Sequence, residues 1–325
     1  MRILVIRRDN IGDLVCATPL LAALRRRHPQ AHIAALVNSY NAGVLTGNPD
    51  IDAVHVYTKL KHREKSLLGT LTERLHLLSG LRKQDFDHVI LAKSGFDRHG
   101  RTLARRIRPK NIVGFAPGEA IDDGLHEVQV VMKLGAALGV DEPPGPLRMF
   151  AAPERVAQWR SRFPAGQRRW VAVHISARQP GKVWPAEHFI SLIRALNTGV
   201  VLLWAPGAAD DPRHPGDDAK AAMIATRLGA GVTLMPAKTE SVEDLTAVLS
   251  LCDAFIGADG GAMHIAAGLG LPIVAFFENI PCKMRHWHPW QVTHEMVVPE
   301  KGDSAAQISV EQVARAWRRL ASRTS

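Results

Sequence analysis

The chain is predicted to fold as an α/β protein of two doubly wound parallel-sheet domains, and three observations predict it. Apolar runs of strand length alternate along the sequence with amphipathic stretches of helix length, the pattern of a parallel sheet covered by helices. At 325 residues the chain exceeds one average domain and is long enough to bury a core in each of two. The alternation is interrupted by Asp141-Glu142-Pro143-Pro144-Gly145-Pro146, whose residues neither extend a helix nor complete a strand, so this is the linker candidate. The domains are drawn accordingly at 1–150 and 151–325.

The first strand is Arg2-Ile3-Leu4-Val5-Ile6-Arg7, an apolar run that ends in charge and lacks the long apolar region and small-residue cleavage site of a signal peptide. Further strands are expected near 32–37, 53–57, 88–92 and 112–115, separated by helices near 14–28, 67–82, 98–107 and 124–139. Beyond the linker the rhythm resumes, with strands near 170–175, 200–204, 232–234, 254–257 and 272–276 and helices near 186–197, 218–229, 241–251 and 262–269. Pro206 to Asp218, rich in Pro, Gly and Asp, reads as a surface loop. A last helix over 308–322 could pack back across the linker onto the first domain. The longest apolar stretch, Ile265 to Phe277, is broken by Gly268, Gly270 and Pro272 and falls short of the ~18 residues a membrane span needs. Cys16, Cys252 and Cys282 lie far apart with no Cys-x-x-Cys spacing, which signals neither a disulfide framework nor a zinc site and fits a reduced, cytosolic setting.

Charge is unevenly placed. Of the net +10, nine charges fall between Lys59 and Lys110, where 14 Lys/Arg face 5 Asp/Glu. Such a segment suits an acidic partner, and equally a merely solubilising surface. Phe86 and Phe96 are its only aromatic residues, too few for stacking along single-stranded nucleic acid.

Two short stretches stand where a strand hands over to a helix, the place where open α/β sheets bind ligands. In Asp9-Asn10-Ile11-Gly12-Asp13, Gly12 permits a tight turn and Asp13 precedes a helix expected from Leu14. Its carboxylate could take a proton from a hydroxyl, or it could simply cap the helix. In Asp259-Gly260-Gly261-Ala262-Met263-His264, the glycines let backbone N–H groups approach an anion at a helix N-terminus, and His264 could add a donor. The plain alternative makes Asp259 a cap, the glycines turn formers and His264 a packed side chain. A third stretch, His174 to Pro185, supplies Ser176, Arg178 and Lys182 before a helix, the parts needed to hold a diphosphate, or else a basic loop anchored by Trp184. Asp50-Ile51-Asp52 imitates a metal-binding Asp-x-Asp, but Asn48-Pro49 before it marks a turn, and His286 and His288 lack a carboxylate or Cys at ligand spacing; no metal site is assigned.

Taken together, Arg2–Arg7 with Ile11-Gly12-Asp13, Asn48-Pro49-Asp50-Ile51-Asp52, Lys182-x-Trp184-Pro185 and Asp259-x-Gly261-x-x-His264-x-Ala266-Ala267-x-Leu269-Gly270-x-Pro272 resemble glycosyltransferase family 9, the heptosyltransferases of lipopolysaccharide core assembly, over essentially the whole chain. The resemblance implies a GT-B fold, two Rossmann-like domains facing a cleft. It implies inverting, metal-independent transfer of heptose from ADP-L-glycero-D-manno-heptose, a substrate and not a cofactor, to a Kdo- and heptose-containing core acceptor. Asp13 matches the family's general base. Ser176, Lys182, Asp259, Gly260, Gly261 and His264 match positions that hold the nucleotide sugar. Acceptors of this class carry carboxylates and phosphates, so Lys59, Lys61, Arg63, Lys65, Lys93 and Arg98 become acceptor-binding candidates, and the protein is expected at the cytoplasmic face of the inner membrane as a peripheral protein.

The sequence departs from the family pattern at Gly260, where Ser or Thr is usual, in the Pro180-Gly181 loop, and at Phe277-Glu278-Asn279-Ile280-Pro281, which replaces a glycine-rich loop. All three touch the expected donor site. The rivals are therefore the same fold with another nucleotide sugar or a non-core acceptor, and, from a different class, a non-catalytic module that binds anionic lipid or nucleic acid.

Overall fold

The computed structural model describes residues 1–57, 67–211 and 215–324, and the chain divides between Arg148 and Met149 into two compact units. On the first side of that border Arg148 is tied into its own unit, its N–H donating to Thr18 Oγ1 at 2.9 Å and its guanidinium pairing with Asp50 at 2.5 Å. On the other side Met149 N–H donates to the carbonyl of Gly268 at 3.0 Å.

The first unit runs β1 (Arg2–Ile6), α1 (Ile11–Val15), α2 (Thr18–Arg27), β2 (His32–Asn38), β3 (Ala53–Tyr57), α3 (Leu67–Arg82), β4 (His88–Leu91), α4 (Arg98–Ile107), β5 (Asn111–Val113) and α5 (Glu127–Met132). Its parallel sheet has the order β3-β2-β1-β4-β5. β1 is central, with Ile3 opposite Ile33 of β2 on one side and His88 of β4 on the other. Ile3, Leu4, Val5 and Ile6 are all buried, which is why this strand reads as an unbroken apolar run instead of an alternating one. Leu4 and Ile6 share a core with Leu36, Phe86, Leu91 and Ile107.

The single helix expected over 14–28 is two. Cys16 and Ala17 separate α1 from α2, and Pro19 sits in the first turn of α2, where a missing N–H has no partner to lose. Likewise the helix expected over 124–139 is α5 followed by a 3-10 turn, Lys133–Leu138, that ends at Gly139 in the left-handed region with φ 73°.

The second unit runs α6 (Pro153–Arg160), β6 (Trp170–His174), α7 (Ala186–Leu196), β7 (Gly199–Trp204), α8 (Asp218–Leu228), β8 (Leu234–Lys238), α9 (Val242–Leu249), β9 (Ala254–Ala258), α10 (Gly261–Gly268), β10 (Ile273–Phe276), α11 (Pro281–Trp287), β11 (His294–Val297) and α12 (Val310–Thr324). Its parallel sheet has the order β11-β10-β9-β6-β7-β8. Trp184 anchors the core: its ring meets Phe189 at 4.7 Å and Phe276 at 4.8 Å, and its indole N–H donates to the Ile308 carbonyl at 2.9 Å. α12 packs against α7, β10 and β11. The strand expected at 232–234 lies later, at β8, and α6, α11 and β11 have no counterpart in the sequence expectation.

In each sheet the order reverses beside the first strand of the unit. β1 has β2 on one side and β4 on the other; β6 has β7 and β9. Loops leaving the C-terminal ends of strands at such a switch point diverge and leave a crevice, so the residues just after β1, β4, β6 and β9 are the ones to inspect.

Candidate active site

In the first unit the strand-to-helix loop places Asp13 in the third position of α1, not ahead of the helix. Asn10 is the residue that precedes α1, and its backbone N–H and side-chain amide both donate to Asp13 Oδ2, at 3.1 and 2.9 Å. Gly12 is buried inside the helix. The loop is fastened from β2: Asn38, fully buried, donates its amide to the carbonyls of Arg8 and Asp9 at 2.7 and 3.0 Å.

The other Asp13 oxygen, Oδ1, accepts from Arg7 at 2.7 Å. Arg7 is only 1% exposed, and it also pairs with Glu127 at 2.8 Å, lies 3.6 Å from Asp9 and donates to the Ala92 carbonyl. Glu127, the first residue of α5, is 0% exposed. Burial pushes the Asp13 carboxyl upward, but Arg7 and the Asn10 donors together outweigh it and hold the group below its ordinary value. Asp9 goes the other way. Burial raises it and Asp13 adds to that, against the opposing pull of Arg7 and Lys93. One loop thus carries two carboxylates pushed in opposite directions, the firmly ionised one facing the switch point with 15% of its side chain exposed.

Lys93 follows β4, across the switch point from Asp13, and is partly exposed. Arg98 opens α4 and is exposed, behind Asp97, which caps that helix by accepting from Gly100 N–H at 2.7 Å. Arg8 lies over the Tyr57 ring, 5.8 Å from its centroid, and 3.6 Å from Asp97. Lys59, Lys61, Arg63 and Lys65 lie outside the described residues.

In the second unit the sequence candidates gather at the corresponding place. Lys182, at the end of the 3-10 turn Pro180–Lys182, forms an ion pair with Asp259 at 2.6 Å; their side chains are 15% and 6% exposed. Asp259 follows β9 directly, and His264, one turn into α10, stands 3.9 Å from its other oxygen. Trp287 of α11 meets the His264 ring edge-on at 5.9 Å. Ser176, two residues beyond β6, accepts from Ala205 N–H at 2.8 Å, which joins the ends of β6 and β7 and leaves its own hydroxyl proton to donate.

Gly260, not Asp259, is the residue that precedes α10. Its φ of 170° is extended backbone open to any residue, and a Cβ there would meet nothing closer than the Ala258 carbonyl at 3.9 Å. Glycine is therefore not forced at 260 by the turn. Gly181 differs: a Cβ on it would collide with the Glu278 carboxylate, which is held by Lys283 at 2.8 Å.

The Asp-x-Asp look-alike is committed to arginines, Asp50 to Arg148 at 2.5 Å and Asp52 to Arg25 at 2.6 Å. His286 packs edge-on to Trp287 at 4.8 Å. His174 is driven by desolvation to a pKa of about 4 and is neutral. Sequence reasoning missed Arg7 and Glu127. The signals available were an arginine closing an otherwise apolar strand and an acid opening the apolar helix Glu127–Met132.

The family model described as glycosyltransferase family 9 (heptosyltransferase) matches residues 74–314. The chain belongs to that family. Curated relatives include the lipopolysaccharide heptosyltransferase 3 of Escherichia coli, 24% identical over 308 residues that cover 86% of this chain and 83% of the relative. Among solved structures, the family 9 glycosyltransferase of Veillonella parvula superposes with a TM-score of 0.83 at 22% identity, covering 98% of this chain and 96% of the other. E. coli heptosyltransferase WaaC with ADP superposes with a TM-score of 0.78 at 15% identity, covering 98% of this chain and 100% of the other. At these identities the structural likeness establishes the fold, GT-B, for a family 9 chain whose two parallel-sheet units are the ones described above.

A glycosyltransferase needs a group that takes the acceptor's proton and a group that receives the negative charge of the departing nucleotide. This family 9 chain offers an ionised carboxylate at the switch point of its first sheet and a partly buried ammonium at that of its second.

Proposed function

We propose that the protein transfers heptose from ADP-L-glycero-D-manno-heptose to a Kdo- and heptose-containing lipopolysaccharide core acceptor with inversion at the anomeric carbon. The observation that carries this reading is the placement of Asp13 and Lys182 at the two switch points, in a chain of the heptosyltransferase family. Asp13 accepts the proton of the attacking hydroxyl while that oxygen bonds to the anomeric carbon. The bond from that carbon to the diphosphate breaks and its electron pair leaves with ADP. Lys182 and the backbone N–H groups at the start of α10 stabilise that charge, a role fixed donors fulfil without reorganisation. No bound cation takes part in this reading. Asp259 orients Lys182, Ser176 donates its hydroxyl proton to a phosphate oxygen, and His264 supports Asp259.

Lys93 and Arg98, with Lys61, Arg63 and Lys65 from the segment outside the described residues, hold the acceptor's carboxylates and phosphates. The protein works at the cytoplasmic face of the inner membrane as a peripheral protein. Among the described residues no helix is long and apolar enough to cross a membrane, while α4 presents Arg98, Arg105 and Arg106 exposed, a face suited to an anionic leaflet.

The Glu278 carboxylate beside Gly181 and the bare Gly260 favour a second reading, the same reaction with a different nucleotide sugar. Calorimetric titration with ADP, UDP and GDP, without metal and then with metal added, decides between them. Selective ADP binding supports the first reading, selective binding of another nucleotide supports the second, and a requirement for metal overturns the cation-free step. Turnover of ADP-heptose on a Kdo-containing lipid then tests the transfer. Asp13→Asn is expected to lower turnover by at least ~100-fold, the scale of general-base loss, with ADP affinity unchanged.

A further inference from the structure

We propose that Arg7, clamped by Glu127, is a positioning residue for the transfer reaction: it fixes the Asp13 carboxylate in the one orientation in which a single lone pair remains for the acceptor's proton. The inference rests on the reading of Asp13 as the base.

A carboxylate offers about four lone-pair sites. At Asp13 three donors are already in place, Arg7 on Oδ1 at 2.7 Å and the two Asn10 groups on Oδ2 at 3.1 and 2.9 Å. The side chain is 15% exposed, so the remaining site is the one open to an incoming hydroxyl. Arg7 can hold this geometry because it is itself held. Its guanidinium is spread between Asp13, Glu127 at 2.8 Å and the Ala92 carbonyl, with Asp9 at 3.6 Å, and it is 1% exposed. Three segments therefore converge on one planar fork: Arg7 directly follows β1, α1 carries Asp13 and α5 carries Glu127. The fork geometry matters, because a point-like ammonium cannot direct donors to several fixed acceptors at once.

Glu127 is 0% exposed, and a buried carboxylate is costly unless paired, as it is here with Arg7 at 2.8 Å. A hydrophobic residue would fill that place at lower cost if only packing were at stake. The charged groups that face Asp13 are Arg7 just past β1, Asp9 from the loop, and Glu127 of α5 through Arg7; Lys93 and Asp97 act on Asp9. The arrangement trades basicity for orientation. A weak base suffices because the acceptor hydroxyl becomes strongly acidic as its oxygen bonds to the anomeric carbon.

The test is the double variant Arg7→Met/Glu127→Leu, which removes both buried charges together and avoids stranding either one. Expected are unchanged ADP binding, a fall in kcat of ~10–100-fold from loss of alignment, and an acid limb of kcat/KM displaced to higher pH, since Asp13 has lost its cation. Arg7→Lys keeps the charge without the fork and should lie between the two in kcat, with its acid limb near that of the wild type. Wild-type kcat in either variant overturns the proposal. So does a fall in kcat with no movement of the acid limb in the double variant, which a merely structural role would give. If the double variant does not fold, Arg7→Gln/Glu127→Gln, which also removes both charges but keeps polar groups of similar size, is read the same way, by kcat together with the acid limb. Asp13→Asn is assayed beside them: if it still turns over, the base reading itself has failed, whereas an inactive Asp13→Asn with a wild-type double variant condemns only the positioning role.

Discussion

Asp13 shows how much one residue's surroundings alter what its identity suggests. The motif places a carboxylate at the mouth of a strand, and two opposite influences can be named from sequence: burial that would raise its affinity for protons and a helix terminus that would lower it. The structure supplies the term that decides, Arg7, whose contact at 2.7 Å is invisible in a linear reading because an arginine ending a strand is equally at home in solvent. Since the folded-state value is depressed, the pairing stabilises the fold above the ordinary carboxylate range, and that contribution is lost as pH falls through the depressed value. The stability gap between wild type and Asp13→Asn should therefore be widest near neutral pH and close as the pH falls through and below the ordinary carboxylate range, as urea midpoints at a series of pH values would show. The sequence offers Lys182 as a candidate cation for a diphosphate, but its pairing with Asp259 is not legible there, because 77 residues separate them. Lys182→Ala should weaken ADP binding by about 10–100-fold, the value of a charge-assisted hydrogen bond, and calorimetry would register it.

Strands and helices were legible wherever burial on both faces or a clean amphipathic stripe wrote itself into the residues. β1, β2, β6, β7 and β9 fall where their apolar runs place them. The elements that escaped notice have weak patterns for physical reasons. α11 buries none of its residues, α6 buries only Trp159, and β11 has four residues with only Val297 buried. The break between α1 and α2 was signalled by Pro19, yet an apolar stripe that continues across the break masks it. β9 shows an element tuned to its neighbour. Gly257 lies opposite His174 of β6, and a Cβ there would stand 2.9 Å from the Phe255 ring and 3.1 Å from the His174 carbonyl. Gly257→Ala should cost about 1–3 kcal/mol through overpacking, measurable as a lower urea midpoint. It should also reduce ADP affinity, because β9 delivers Asp259.

At the scale of the whole chain, the two-unit architecture follows from length, alternation and one interruption, and the border between Arg148 and Met149 falls just past the proline-rich stretch. Each unit encloses its own apolar cluster, so a single unfolding midpoint is not guaranteed for this protein. If ADP binds through the second unit, it stabilises that unit by mass action, by about 2.7 kcal/mol at a hundred times its dissociation constant. Scanning calorimetry should then show ADP raising one component of the melting profile, with Lys182→Ala removing the shift. What no linear reading could supply is the convergence of α1 and α5 on the single guanidinium that follows β1, since it joins positions 7, 13 and 127 only after the sheet has formed.

That convergence has a consequence for how the protein can change over generations. Arg7 and Glu127 are coupled, because losing Arg7 alone leaves Glu127, 0% exposed, as a charge stranded in the interior, whereas losing Asp13 leaves Arg7 still paired with Glu127. The single step through Arg7 is penalised even where the final double replacement would be tolerated. Positions 7 and 127 are therefore expected to show strong epistasis: in a combinatorial library selected for folded protein alone, survivors should either keep Arg7 with Glu127 or replace both together, with few that lose Arg7 alone. Selection for turnover should empty the second class and leave the first.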